Sequence, residues 1–412
     1  MTPRLYAMPR SALVALAIAV AAFVGWRVIV AGREAMDERS IPADALATGA
    51  AQPAGNSEAS LRGRLAKNPG DALALLLLAL ELERQGKREE AGAAMRTAAR
   101  LAPAEPQSLL LIAGYFLRTG EETLALSTLR RALDSAPADT STKVWPVFTA
   151  ALVSGRHQPY FDAMARENAA WWPEFFRHAC ARAVPSNAVQ SIFAVRVAAD
   201  VATQEERRCL IERLQRDGQW ANAYVLWLNS LPPELRKRVG YVFNGDFEAP
   251  LSNTGFDWRI PAQESTIVAA EPGDGVMGKR GLHVAFTSQR YAGPPLYQTM
   301  LLEPGKYQLE GKAKPGLDAW LGMQWGVYCL DEAGRPKGQL VRTDPFTGAT
   351  RWREFRSEFA VPSNCPAQLL RLELANPKQG AAGPADVAIR LKGQLWFDDI
   401  RVRIVDERGG RR

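Results

Sequence analysis

The arrangement of apolar and polar residues changes character three times along the chain. Residues 11–32 are apolar at nearly every position, with Arg27 the one charge among them. Residues 33–56 mix Ala, Gly and Pro with charges of both signs and read as a linker. From 57 to 240 apolar residues recur with a helical period. From 241 to 406 the period shortens to two, with alternation predicting strands at 282–287, 296–301, 307–313, 320–330, 352–361, 368–375 and 394–404. A short tail, 407–412, follows. The fold class this predicts is multidomain α and β: a transmembrane helix, an α-helical solenoid and an antiparallel β-sandwich.

The apolar run at 11–32 is long enough for a membrane span, which takes about 20 residues. Arg4 and Arg10 precede it, so 1–32 reads as a cytoplasmic tail and signal anchor with the bulk of the chain exported. Arg27 sits near the far end, where a long side chain can snorkel to the interface. A cleaved signal peptide is the competing reading, since small residues follow at Ala31 and Gly32. Against it stand the length of the run and its bulky end, Trp26 and Val28 to Val30.

Within the helical region, Pro69, Pro103 and Pro137 are spaced 34 and 34 residues apart. Gly86, Ala91 and Ala98 recur as Gly120, Ala125 and Ala132, again 34 residues on. Small alanines let two helices approach closely, and a glycine between them supplies positive φ. Leu75, Leu78, Leu82 and Met95, then Leu109, Ile112, Phe116 and Leu129, are the expected apolar contacts. Residues 72–139 therefore resemble two tetratricopeptide repeats (TPR), a family whose stacked helix pairs imply protein–protein interaction. The pattern fades after Pro137; the aromatic residues Trp145, Trp171, Trp172, Phe175, Phe176, Trp220 and Trp227 read as core.

In the β region one strand shows two faces. Leu321, Met323, Trp325, Val327 and Cys329 form an apolar set; Trp320, Gly322, Gln324, Gly326 and Tyr328 form the other. Rings and amides on an open face suit sugars, whose C–H faces stack and whose hydroxyls hydrogen-bond. Trp320, Gln324 and Tyr328, with Arg371 and Glu373 from a neighbouring strand, are the candidate glycan-binding residues. An ordinary solvent face, or a packing face for the helices, is the alternative.

Asn244-Gly-Asp-Phe-Glu248, Gly255-Phe-Asp-Trp258, Pro304-Gly-Lys-Tyr307 and the closing Leu395-Trp-Phe-Asp-Asp-Ile400 resemble carbohydrate-binding modules of the jelly-roll type over 241–406. That resemblance implies a jelly roll, a possible polysaccharide ligand and a possible structural calcium, for which Glu248 and Asp398 are the candidate ligands. Together with the anchor and the repeats, it also resembles bacterial exopolysaccharide-associated membrane proteins. The implied place is the bacterial inner membrane, single-pass, with the bulk in the periplasm. In that compartment Cys329 and Cys365 could form a disulfide or remain two buried thiols.

Composition adds mainly exclusions. The net charge of +7 comes from scattered arginines without a basic block, and no basic-aromatic motif stands out, so a nucleic-acid partner is not expected. The three histidines lie in no metal-ligand or nucleophile spacing, and no nucleotide-binding or hydrolase motif occurs. No enzymatic activity is expected, although Asp246, Glu248, Glu310, Glu373 and Asp399 could in principle supply a glycosidase pair. Three functions remain in play: a membrane-anchored scaffold or accessory protein of cell-surface polysaccharide synthesis or export, a structural assembly protein without glycan binding, and, third, a glycosidase.

Overall fold

A computed structural model describes residues 57–101, 105–181, 185–318, 321–348, 351–375 and 390–405. The apolar run at 11–32, the linker, the terminal tail and Trp320 fall outside these residues. No helix among the described residues is long and apolar enough to cross a membrane. The chain divides into two compact units, at 201/202.

The described part of the first unit is helical: α1 (Glu58–Lys67), α2 (Ala72–Arg84), α3 (Arg88–Leu101), α4 (Pro106–Arg118), α5 (Glu122–Ser135), α6 (Pro137–Ser154), α7 (Gln158–Arg166), α8 (Trp172–Ala181) and α9 (Ser186–Ala198). Local chemistry sets the starts. Asp71 accepts from the Ala74 N–H at 2.9 Å, and Glu105 accepts from Ser108 at 2.6 Å, one residue before Pro106 opens α4. The ends of α2 and α4 share one geometry. Gly86 and Gly120 have φ of 78° and 79°. Lys87 N–H reaches Leu82 O at 2.9 Å, and Glu121 N–H reaches Phe116 O at 2.8 Å, 34 residues later. Ala91, Ala98, Ala125 and Ala132 are all fully buried between helices, with Leu78, Leu82, Met95, Leu109, Ile112, Phe116 and Leu129; Leu75 is only partly buried. Trp145, Phe148, Phe161, Trp171 and Phe175 form a second, aromatic cluster.

The second unit begins with helices: α10 (Gln204–Arg216), α11 (Trp220–Ser230) and the short α12 (Pro233–Arg236). The sequence reading placed these with the repeats up to 240; by packing they belong to the unit that holds the sandwich. Gly218 repeats the turn of Gly86, with φ 69° and Gln219 N–H on Leu214 O at 2.9 Å. A side chain at Gly218 would overlap the Glu332 backbone, so the helical turn lies directly on the sandwich. Trp227 meets Phe243 and Phe256 edge-on or tilted, and Glu212 pairs with Arg259 at 3.1 Å.

Among the described residues the nine strands are β1 (Thr266–Glu271), β2 (Gly281–Arg290), β3 (Tyr297–Met300), β4 (Gly305–Leu317), β5 (Met323–Leu330), β6 (Pro336–Arg342), β7 (Arg353–Val361), β8 (Ala367–Leu374) and β9 (Arg390–Ile404). They form two antiparallel sheets, β1-β2-β9-β4-β7 and β3-β8-β5-β6. The inner faces meet through Leu282, Val284, Leu309, Trp325, Val327, Leu370, Leu372, Leu395, Phe397 and Ile400, all fully buried. Pro315 sits in β4 beyond Ala313, where pairing with β7 stops and only β9 remains alongside. A missing N–H costs no ladder bond on such a free side. Cys329 and Cys365 are joined as a disulfide, with Cα atoms 5.4 Å apart.

Candidate functional site

The outward face of the four-stranded sheet is built from strand register. Tyr297, Arg371, Gly326 and Arg342 stand side by side, one on each strand. One step along, Thr299, Leu369, Tyr328 and Gln339 form the next row, and Gln324 pairs with Glu373 on the other side. Four of the five candidate glycan residues, Gln324, Tyr328, Arg371 and Glu373, thus gather in one cluster. Trp320 lies outside the described residues.

Glu373 is the centre of that cluster. Its Oε1 accepts from the Tyr328 hydroxyl at 2.5 Å and from Arg342 Nε at 3.0 Å, and its Oε2 accepts from Arg371 Nε at 2.7 Å. Arg342 Nη2 also donates to the Tyr328 oxygen at 3.0 Å, and Gln324 Nε2 reaches Glu373 at 3.4 Å. The Arg371 guanidinium lies 4.1 Å from the Tyr328 ring centroid, a cation–π contact. Burial, helped by the neighbouring Glu373 carboxylate, raises the phenol pKa, so Tyr328 stays a donor. Gly326 makes the arrangement possible: a Cβ there would sit 2.7 Å from the Tyr328 ring and 2.9 Å from Glu373 Oε1.

Exposure differs from the open face expected. Tyr328 and Glu373 are buried, whereas the side chains of Arg342 and Arg371 remain 35% and 25% exposed. The arginines are therefore what the cluster offers to solvent. At the far end of the same face, Trp220 of α11 packs on Leu330, Ala367 and Leu369. One half of the face is a packing surface for a helix, and the other half is polar.

The other motif residues act within the fold. Asn244 exchanges hydrogen bonds with the Ala249 backbone at 2.9 and 3.0 Å, and its carbonyl accepts from Trp258 Nε1 at 3.0 Å. Gly245 lies against β9, with Ile400 N–H on its carbonyl at 2.9 Å. The opening motif therefore fastens the start of the sandwich to its last strand. Tyr307 of the Pro304-Gly motif is buried, its hydroxyl on Glu303 O at 2.8 Å.

Glu248 and Asp398, the candidate calcium ligands, each accept hydrogen bonds from backbone N–H groups. Glu248 Oε1 accepts the Lys279 and Arg280 N–H groups at 2.6 and 3.1 Å. Asp398 accepts from Met277 and Asp399 N–H, each at 2.7 Å. Together these carboxylates clamp the backbone of 277–280. No group of three or more His, Cys, Asp or Glu suited to a metal occurs among the described residues. Burial pushes the Asp398 carboxyl up to about 6 against the pull of its two backbone donors.

The remaining candidate carboxylates are dispersed. Asp246 pairs with Arg238. Glu310 and Asp399 line one shallow cavity of about 200 Å³ on the five-stranded sheet, but Arg403 holds the former at 2.8 Å and Arg401 the latter. Sequence reasoning missed Arg342, because β6 shows no alternation of exposure to flag it as a strand.

No protein-family model matches the chain, and a search of curated proteins finds no match. Several solved structures are similar. The CBM22-1 xylan-binding domain from Paenibacillus barcinonensis Xyn10C is 15% identical, with a TM-score of 0.28 over 39% of this chain and 92% of its own. The CBM22-1-GH10 modules of a Clostridium thermocellum xylanase, complexed with xylohexaose, are 18% identical, with a TM-score of 0.28 over 39% of this chain and 28% of theirs. The enzymatically active domain of a Bacteriophage CBA120 tailspike protein is 14% identical, with a TM-score of 0.28 over 40% of this chain and 22% of its own. At these identities and scores the likenesses carry no argument about what this chain binds; the reading below rests on the sheet face itself.

Proposed function

We propose that this protein is a membrane-anchored, non-enzymatic scaffold or accessory protein of cell-surface polysaccharide synthesis or export. In this reading the 11–32 segment holds it in the bacterial inner membrane. The helix pairs act as tetratricopeptide repeats that hold a protein partner in the periplasm, and the sandwich holds glycan. The observation that carries it is the cluster of Gln324, Tyr328, Arg342, Arg371 and Glu373, in which buried hydrogen bonds fix two partly exposed guanidiniums on one sheet face. Fixed polar groups bind sugars at less entropic cost than free ones.

A second reading, structural assembly without glycan, is favoured by Trp220, which already covers the apolar end of the same face. Affinity electrophoresis of the full chain through gels containing bacterial exopolysaccharides separates the two. Retardation that disappears in Tyr328→Ala but persists in Arg356→Ala, on the other sheet, is the expected result. Equal mobility in every gel, with the chain shown to be folded, overturns glycan binding in favour of assembly.

A further inference from the structure

The charge count on this face narrows the ligand. Across the four strands the outward positions at the cluster are Tyr297, Thr299, Gln324, Gly326, Tyr328, Gln339, Arg342, Leu369, Arg371 and Glu373. Among the described residues there, two cations face one carboxylate. Arg259, which extends the row beyond Tyr297 through an isolated bridge, is already paired with Glu212. Arg371 donates through Nε to Glu373 and also meets Tyr328, and Arg342 donates through Nε and Nη2. The remaining Nη groups of both belong to side chains that reach solvent.

Their spacing is fixed by the sheet. Both arginines pair in register with Gly326 from opposite sides, so their Cα atoms stand two interstrand spacings apart, about 10 Å. Glu373 holds the Nε of both guanidiniums, while Tyr328 accepts from Arg342 through its hydroxyl and meets Arg371 through its ring, leaving Nη groups toward solvent as donors of the kind that grip a carboxylate. We infer that the glycan bound here is acidic, a polysaccharide carrying uronate carboxylates, with Arg342 and Arg371 as the residues that select it. This rests on the glycan-binding reading above and names its substrate class.

The test uses the full 412-residue chain in non-ionic detergent, with polygalacturonate, alginate and hyaluronate as probes. Each is compared with the same polymer after its carboxylates have been reduced to alcohols. The expected result is binding to at least one polyuronate that is about tenfold or more weaker for its reduced form, as loss of a charge-assisted hydrogen bond predicts. Arg342→Gln and Arg371→Gln each reproduce that loss in a chain that remains folded. If either variant melts early, its Lys counterpart is used: Lys keeps the charge but not the fork, and intermediate binding is expected. Raising salt from about 0.1 M to about 1 M, which shortens the Debye length from about 10 Å to about 3 Å, weakens binding of the polyuronate more than of the reduced polymer. Equal binding of both forms overturns the acidic preference while leaving glycan binding intact. Polyuronate binding that survives both Gln variants overturns the site, and assigns the effect to the chain's general excess of +7. Binding to none of the polymers, acidic or reduced, overturns this inference together with the glycan reading.

Discussion

Each sheet of the sandwich buries one carboxylate, and the two solutions are opposite. Glu373, on the four-stranded sheet, is met by two guanidiniums and a phenol. Asp398, on the five-stranded sheet, is met by backbone N–H groups of its own strand and of the loop before β2. Backbone donors are fixed, neutral and hidden, so they serve only the fold. Side-chain cations bring their own charge and reach solvent, so they leave something for a ligand. A buried carboxylate thus has different meanings according to what satisfies it.

Removing the Glu373 carboxylate should show the largest effect. Glu373→Ala strands two arginines and a phenol, and is expected to cost about 3 kcal/mol in chemical denaturation, at the lower end for breaking a buried pair because both arginines touch water. Glu354→Ala breaks an exposed pair with Arg356 and should cost under about 0.5 kcal/mol. Losses equal within error would erase the distinction between the two faces.

Asp398 offers a pH signature. Its folded carboxyl titrates at about 6 against an ordinary 3.8, so between those values the folded chain keeps a proton that the unfolded chain has released. The stabilisation is present at low pH and is lost as pH rises through 6. From about pH 4 to about pH 7, wild-type stability should fall by roughly 2–3 kcal/mol relative to Asp398→Asn, measured by denaturant titration at each pH. A gap that stays constant with pH would place Asp398 in a wetter setting than its 1% exposure indicates.

The smallest effect within the two buried clusters is steric. Gly326→Ala pushes a methyl group into the Tyr328 ring and the Glu373 carboxylate, with an expected loss of about 1–2 kcal/mol. Glycan retardation should fall with it, since the hydrogen bonds that fix the arginines must give way. Full retention of both would show that the cluster reorganises freely.

The parts legible in sequence were those where one period runs unbroken. The 34-residue spacing located Gly86 and Gly120, whose turns match bond for bond. Strict alternation in β5 separated Trp325 and Val327 from Gln324 and Tyr328. Legibility failed where the period breaks or where contacts are distant in sequence. β1 and β6 are edge strands without alternating burial, and Arg342 was lost with β6. In β9 the inward residues are Leu395 and Phe397, then Ile400 and Val402. The parity flips at a register shift that contains Asp399, with φ 56°, and no count of alternation foresees a bulge. Helices α10 and α11 share the helical period that runs to 240, and Trp220 and Trp227 packing on sandwich residues shows where they belong. The Asn244 and Asp398 motifs were visible as motifs, but the N–H donors that make them fastenings, Ile400 for Gly245 and Met277 for Asp398, are distant in sequence.

The bond between Cys329 and Cys365 closes a covalent ring over the intervening chain, 36 positions in sequence. That ring contains β6, an edge of one sheet, and β7, an edge of the other, with the crossover between them. A protease that cuts the crossover at a single point therefore releases nothing: the two pieces migrate as one molecule until a reductant is added. The two sheets are linked by a loop that can be nicked without being severed.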